Sequence, residues 1–376
     1  MAANRHLHHH HHHHHHHNAD YHQILLHLLL LLSLITTLAS SASASAPAPA
    51  RVPAIIVFGD STVDAGNNNG IGTMLKSNFR PYGRDFAGGP TGRFCNGRIP
   101  PDFISEAFGL PPLVPAYLDP AYGIRDFARG VCFASAGTGL DNATSDVLKV
   151  IPLWKEVEYF KQYQQRLRQY VGLARAKYIV SEAIYIVSIG TNDFLENYFL
   201  YITGRFAHFS VGEFEDFLVG LAAEFLTEIY RLGARKIVFA GLSPMGCLPL
   251  ERTTNILHGG ECIEEYNAAA REFNAKLQHM MEELCAALPG LKLRYTPVYD
   301  SLDSIIQNPS AYGIENVAEG CCATGKFEMG YLCNEKNPCT CPDADKYLFW
   351  DAFHPTEKVN RLMANVTLQT SMKEFL

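Results

Sequence analysis

Ala54-Ile55-Ile56-Val57-Phe58-Gly59-Asp60-Ser61-Thr62 is the stretch on which the reading of this chain turns. Its five leading residues are all apolar and offer no polar face to water. Such a run fits a strand buried on both faces, as in a parallel sheet covered by helices. Gly59 opens a tight turn, and Asp60, Ser61 and Thr62 follow at the strand's carboxyl end. In open α/β sheets, functional groups collect at that end.

Working outward, similar runs recur at 183–189, 236–240, 291–295 and 347–350. Between them, 155–170, 211–232 and 263–288 have helical spacing and helix-forming composition, and 356–368 reads as a closing helix entered through Pro355. This β-α-β rhythm predicts a parallel sheet sandwiched by helices, a three-layer α/β fold. No internal repeat and no Ser/Gly/Pro linker divides residues 47–376, which are expected to form a single domain. Two more polar motifs follow predicted strands: Ser188-Ile-Gly-Thr-Asn192-Asp193 and Trp350-Asp351-Ala-Phe-His354-Pro355.

The chain has 376 residues, 47% hydrophobic and 18% charged, below the roughly 25% charge usual for globular domains. That excludes whole-chain disorder. A formal charge of -7 with no long basic run argues against a nucleic-acid partner, which calls for clustered Lys and Arg. Residues 1–46 read as a signal peptide with a histidine-rich n-region: His8 to His17 is unbroken, an apolar segment runs from Ile24 to Leu38, and Ser41 to Ala46 alternates small residues as at a cleavage site. The apolar segment is shorter than the roughly 20 residues needed to span a bilayer, although a signal anchor is the rival reading. The histidine run is open between a tag, a natural repeat and a metal-binding tract. Cleavage leaves only His208, His258, His279 and His354. The expected destination is extracellular or cell wall, without a stable membrane anchor, and the sequons at Asn142 and Asn365 are candidate glycosylation sites.

A serine hydroxyl becomes a competent nucleophile when an imidazole takes its proton. The imidazole needs a carboxylate to hold its tautomer, and donors must meet the oxyanion that forms. Ser61 on its turn, His354 three residues after Asp351, and the amide of Asn192 supply these parts at strand ends. Taken singly, each has a bland alternative: Gly-Asp-Ser as a turn and helix cap, Asn192 and Asp193 as capping residues. Their joint order carries the case. The Gly-x-Ser-x-Gly elbow of ordinary lipases is absent.

From about Pro53 to the C-terminus the chain resembles the plant GDSL esterase/lipase family, a branch of the SGNH hydrolases. Phe58-Gly-Asp-Ser61 with Asp64-Ala-Gly-Asn-Asn-Asn69 is similar to the family's first block, Phe133-Ala-Ser-Ala-Gly137-Thr-Gly139 to the second, Gly190-Thr-Asn192-Asp193 to the third, and Asp351-Ala-Phe-His354-Pro-Thr to the last. The resemblance implies a flavodoxin-like SGNH hydrolase fold with a five-stranded parallel sheet. It also implies Ser61, Asp351 and His354 as catalytic residues, and an oxyanion hole from the Ser61 N–H, a second-block glycine N–H and Asn192. Gly137 and Gly139 are both candidates for that glycine, with Gly137 the closer match. Thr62 stands where the family name has Leu, read as a side-wall change, and Cys132 stands where many members carry Asn. No metal and no organic cofactor is implied. The implied partner is a small-molecule, lipid or cell-wall ester; acyl transfer by the same triad and an inert wall-binding protein are the alternatives.

Ten cysteines suit an exported chain with several disulfides. Cys247 and Cys262 are candidates for one, closing a loop that would stabilise by about 3 kcal/mol in the chain-entropy model. Cys321, Cys322, Cys333, Cys339 and Cys341 cluster before the last motif with connectivity open. A zinc site at Cys339-Thr-Cys341 near Cys333 is the alternative, disfavoured by the missing Cys-x₂-Cys spacing. Phe194, Tyr198, Phe199, Tyr201, Phe206 and Phe209 read either as core or as an acyl-binding wall.

Overall fold

The computed structural model describes residues 52–376 apart from 202, 337 and 338, together with His27. Apart from His27, the expected signal peptide, with its histidine run, lies outside the described residues. Seven strands are described: β1 (Ile55–Gly59), β2 (Gly130–Cys132), β3 (Ile184–Ser188), β4 (Lys236–Ala240), β5 (Lys292–Thr296), β6 (Asn316–Gly320) and β7 (Tyr347–Phe349). The main helices are α1 (Pro100–Ala107), α2 (Asn142–Leu148), α3 (Leu153–Val171), α4 (Leu173–Glu182), α5 (Val211–Arg231), α6 (Pro249–Thr254), α7 (Glu264–Ala287), α8 (Val298–Gln307) and α9 (Glu357–Gln369).

The main sheet is five-stranded and parallel, in the order β2-β1-β3-β4-β5, the flavodoxin-like arrangement. β1 is buried along its whole length because it is central: Ile56 pairs with Val131 on one side and Tyr185 on the other. Side chains alternate across it. Ile56 and Phe58 enter the larger core with Phe160 of α3, Phe214 of α5 and Phe273 of α7. Ile55 and Val57 enter the smaller one with Phe103 and Ile104 of α1 and Ala364 of α9. Helix ends follow local chemistry. Ser210 caps α5 in a reciprocal box with Glu213, and the Asp141 carboxylate caps α2 by accepting from the Ala143 N–H at 3.1 Å.

The chain leaves β1 for β2 on one side and returns to β3 on the other. The loops after β1 and β3 therefore diverge at a switch point, and Ser61 and Asn192 stand there. The run at 347–350 is a strand but not part of the main sheet. It pairs with β6 in a separate two-stranded parallel sheet, followed by Trp350 and Asp351. An apolar run signals burial without naming the partner strand. The fifth main strand is instead β2, only three residues long and beginning with glycine, too short and unpatterned to be predicted. Three disulfides are present: Cys247–Cys262, Cys321–Cys341 and Cys322–Cys333. The second and third join the start of the strand pair's outgoing loop to the segment before β7. Cys333 and Cys341 are thereby unavailable to zinc, and Cys339 is free and exposed.

Candidate active site

Ser61 sits on the turn after β1, whose shape depends on Gly59. Its φ of 136° lies in a region other residues rarely adopt, and a Cβ there would overlap the Ser188 carbonyl oxygen. The Asp60 N–H continues the ladder by donating to that carbonyl at 3.0 Å. The Asp60 carboxylate accepts from the Thr62 N–H at 3.0 Å and the Thr62 hydroxyl at 2.6 Å. Burial nevertheless pushes its pKa up to about 6. Thr62 also bonds the Ser188 hydroxyl at 2.8 Å, so it is a polar tie across the strand ends and not merely a side wall. Beneath the turn, the Gly59 N–H donates to Glu156 of α3 at 3.0 Å, and burial raises that carboxyl far above its ordinary value.

At the other end of the chain, Asp351 and His354 share one tight loop. Asp351 Oδ1 accepts from the backbone N–H groups of Phe353 and His354 at 2.8 and 2.6 Å. His354 Nδ1 lies 2.8 Å from Asp351 Oδ2, and His354 Nε2 lies 2.8 Å from Ser61 Oγ. Tyr82 completes the shell: its hydroxyl donates to Asp351 Oδ2 at 2.6 Å and accepts from the Gly330 N–H at 2.8 Å. Phe94 lies against the His354 ring, with centroids 4.9 Å apart.

The second-block loop is bracketed by residues from the first and third blocks. Asp64 accepts from Gly66 and Asn67 through one oxygen and from the Ala136 N–H through the other, at 3.0 Å. Asn67 and Asn68 donate to the carbonyls of Cys132, Ala134 and Ala136. These asparagines supply the loop's hydrogen bonding, while the Cys132 thiol is buried and turned to the Val63 carbonyl. From the other side, Asp193 accepts from the Leu140 and Asp141 N–H groups and the Thr144 hydroxyl; burial pushes its pKa up to about 7 against those bonds. Asn192 Nδ2 donates one hydrogen to the Thr138 carbonyl at 3.0 Å, leaving its second for a ligand.

A small pocket of about 40 Å³ gathers Ser61, Gly137, Asn192 and His354 with Leu75, Phe94, Glu196 and Phe353 among its walls. The N–H groups of Ser61 and Gly137 have no acceptor among the described residues. Gly137 takes a φ of 89° and a Cβ there would strike Leu75. Gly139 is outside the pocket, and a Cβ there would strike the Asp193 carboxylate. Its space is thus needed for packing. Burial and then the neighbouring carboxyl of Glu196, a pocket residue, push Glu251 up to about 7.

Ser61, Asp351, His354, Asn192 and Gly137 are therefore brought together. Asn142 and Asn365 are exposed helical positions, with the Thr144 and Thr367 hydroxyls buried and bonded. His258 bonds Asn255 and His279 approaches Glu283, both on the surface; His208 is exposed in a single helical turn. The aromatic run does not line the pocket: Phe194, Tyr198 and Phe199 are core, packed on Phe214 and Tyr266, while Tyr201 and Phe206 meet edge to face on the surface. Sequence reasoning misses Tyr82, which lies in no patterned segment, and Glu156, which falls in the helical run 155–170 whose spacing gives no sign that its carboxyl reaches Gly59. Among the described residues no group of three or more His, Cys, Asp or Glu is placed to hold a metal ion, and no helix is long and apolar enough to cross a membrane.

Residues 55–367 match the family model of the GDSL-like lipase/acylhydrolases. The chain is similar to GDSL esterase/lipase At4g26790 of Arabidopsis thaliana, 61% identical over 327 residues that cover 87% of this chain and 93% of that one. GDSL esterase/lipase At2g04570 of the same plant is 58% identical with the same coverage, and GDSL esterase/lipase At2g42990 is 58% identical over 84% of this chain and 90% of its own. By these matches over most of its length, the chain belongs to the GDSL-like lipase/acylhydrolase family and is a carboxylic ester hydrolase.

Proposed function

We propose that the protein is a secreted serine esterase in which Ser61 is the nucleophile, His354 the general base and acid, and Asp351 the carboxylate that orients it. The observation that carries this reading is the chain of 2.8 Å contacts from Ser61 Oγ through His354 to Asp351. At its serine end stand the N–H groups of Ser61 and Gly137, with no acceptor among the described residues.

As Ser61 Oγ bonds to the ester carbonyl carbon, its proton passes to His354 Nε2. The Nδ1–H donates to Asp351, which stabilises the imidazolium. Negative charge on the carbonyl oxygen is met by the Ser61 and Gly137 N–H groups and the free hydrogen of Asn192, a set of donors already in place before reaction. Nε2–H then protonates the departing alkoxide, leaving Ser61 acylated. Water, deprotonated by His354, releases the acid and restores the serine. The three disulfides favour export, consistent with residues 1–46 as a leader and 47–376 as one hydrolase domain.

Purified protein is expected to hydrolyse p-nitrophenyl butyrate, and Ser61→Ala to lose at least about 10³ in kcat/KM. Turnover that survives the substitution would remove the assignment.

A further inference from the structure

Behind the catalytic loop lies a second space. An apolar cavity of about 120 Å³ is walled by Val63, Ile104, Ile186, Val238, Leu302 and Met363. It runs between the main sheet and helices α1, α8 and α9, where residues of the smaller core (Val63, Ile104, Ile186, Val238) meet Leu302 and Met363 of the larger one. Its upper end reaches Ser188, Ala240 and Thr296 at the carboxyl ends of β3, β4 and β5, the edge where this class of sheet receives ligands. Thr62 and Pro355, the chain neighbours of Ser61 and His354, also line it. Phe353 faces both spaces, so its ring is a shared wall between the catalytic pocket and the cavity.

The lining has no ionisable side chain. Most of its polar members are occupied elsewhere: Thr62 bonds Asp60 and Ser188, Thr296 bonds Ser371, Thr367 bonds the Met363 carbonyl and Asn360 bonds the Arg98 carbonyl, while Thr191 and Ser243 add two further hydroxyls to the wall. An occupant therefore meets mostly hydrocarbon and no ionisable partner, which disfavours a charged group and fits an aliphatic chain. Close-packed interiors rarely leave a void of this size, because it lowers stability. The catalytic pocket, at about 40 Å³, has room only for the first carbons of an acyl group.

We propose that the cavity is the acyl-chain site of this esterase, entered past the Phe353 ring, and that the substrate class is a medium-chain aliphatic ester. The proposal rests on Ser61 being the nucleophile. With about 30 Å³ per water-sized group, the cavity takes about four methylenes beyond those beside the carbonyl. Each buried methylene raises kcat/KM about fourfold, so the rate climbs from butyrate to about octanoate, on the order of 10²-fold, and then levels.

The test is a p-nitrophenyl ester series from acetate to laurate on the full chain, with acetate as internal reference. In Val238→Phe, which fills the cavity, the octanoate-to-acetate ratio is expected to fall at least tenfold. In Met363→Ala, which enlarges it, the optimum moves to longer chains. Octanoic acid should raise the melting temperature of Ser61→Ala protein, and not once Val238→Phe is added. If Val238→Phe does not fold, the Met363→Ala shift decides. A flat series, a ratio unchanged in natively melting Val238→Phe, or a slope seen with alkyl acetates in place of acyl esters overturns the cavity assignment while leaving the triad intact. Turnover persisting in Ser61→Ala at every chain length instead overturns the nucleophile.

Discussion

Replacing Tyr82 by Phe removes one oxygen from the shell around Asp351 and nothing else. The lost bond is a 2.6 Å contact to a buried carboxylate oxygen, and the Gly330 N–H that donates to the same hydroxyl at 2.8 Å loses its acceptor. A hydrogen bond to a charged group contributes about 1.5–3 kcal/mol, and a stranded buried donor costs in the same range. The expected loss of stability is thus about 3 kcal/mol, or ~4 °C in Tm for a domain of this size. Catalysis should suffer less. Asp351 keeps both backbone donors on Oδ1 and His354 on Oδ2, so the imidazole stays oriented and kcat/KM should drop by about tenfold or less. Burial, followed by the Asp351 charge, pushes the Tyr82 phenol well above its ordinary range. It is a donor at every working pH, and the shape of the pH–rate profile should not change. Thermal melts and ester kinetics on the same preparations test both halves. A rate loss above about 10² with an unchanged Tm would mean that Tyr82 takes part in the chemistry, and no change in either would mean that the bond is not formed in solution.

Asp351→Asn should leave a folded but weak enzyme, down about 10²–10⁴ in kcat, whereas His354→Gln should remove the general base and cost at least about 10³ in kcat. Chelator should leave the rate of the parent protein unchanged. Burial raises Asp60 and Asp64 to about 6 and Asp193 to about 7. A carboxyl raised in the fold contributes stability that is full below its unfolded value near ~4 and lost as pH rises through the folded value. Tm should therefore fall between about pH 4 and 7, and a Tm that climbs over that range would contradict the burial argument. Reduction under native conditions should cost about 3 kcal/mol for each accessible disulfide loop of 11 to 20 residues, seen as a lower urea midpoint with dithiothreitol.

Parts of this molecule that depend on local pattern were readable from the chain. The buried run of β1, the long amphipathic helices α3, α5 and α7, and the polar residues directly after strands all announce themselves through spacing. Ser61, Asn192, Asp351 and His354 belong to that group because each follows a strand, Ser61 and Asn192 at the carboxyl edge of the main sheet and Asp351 and His354 after β7 of the small one. What depends on long-range packing was not readable. β2 is three residues held in place by β1. The run at 347–350 states that it is buried but not that Asn316–Gly320 is its partner. Tyr82 meets Asp351 across 269 positions of sequence, and nothing in its own neighbourhood marks it. The aromatic run after Asn192 shows the reverse failure: composition suggested a pocket wall, and packing against α5 and α7 places half of it in the core.

The central claim is that one serine, activated by one histidine, carries the reaction. A fluorophosphonate probe captures such a serine covalently, through attack of Oγ on phosphorus with loss of fluoride. Peptide mapping after labelling should place the adduct on Ser61 alone, with labelling lost in Ser61→Ala and slowed by at least about 10³ in His354→Gln. An adduct at another residue, or full ester turnover in protein whose Ser61 is quantitatively modified, would contradict the account.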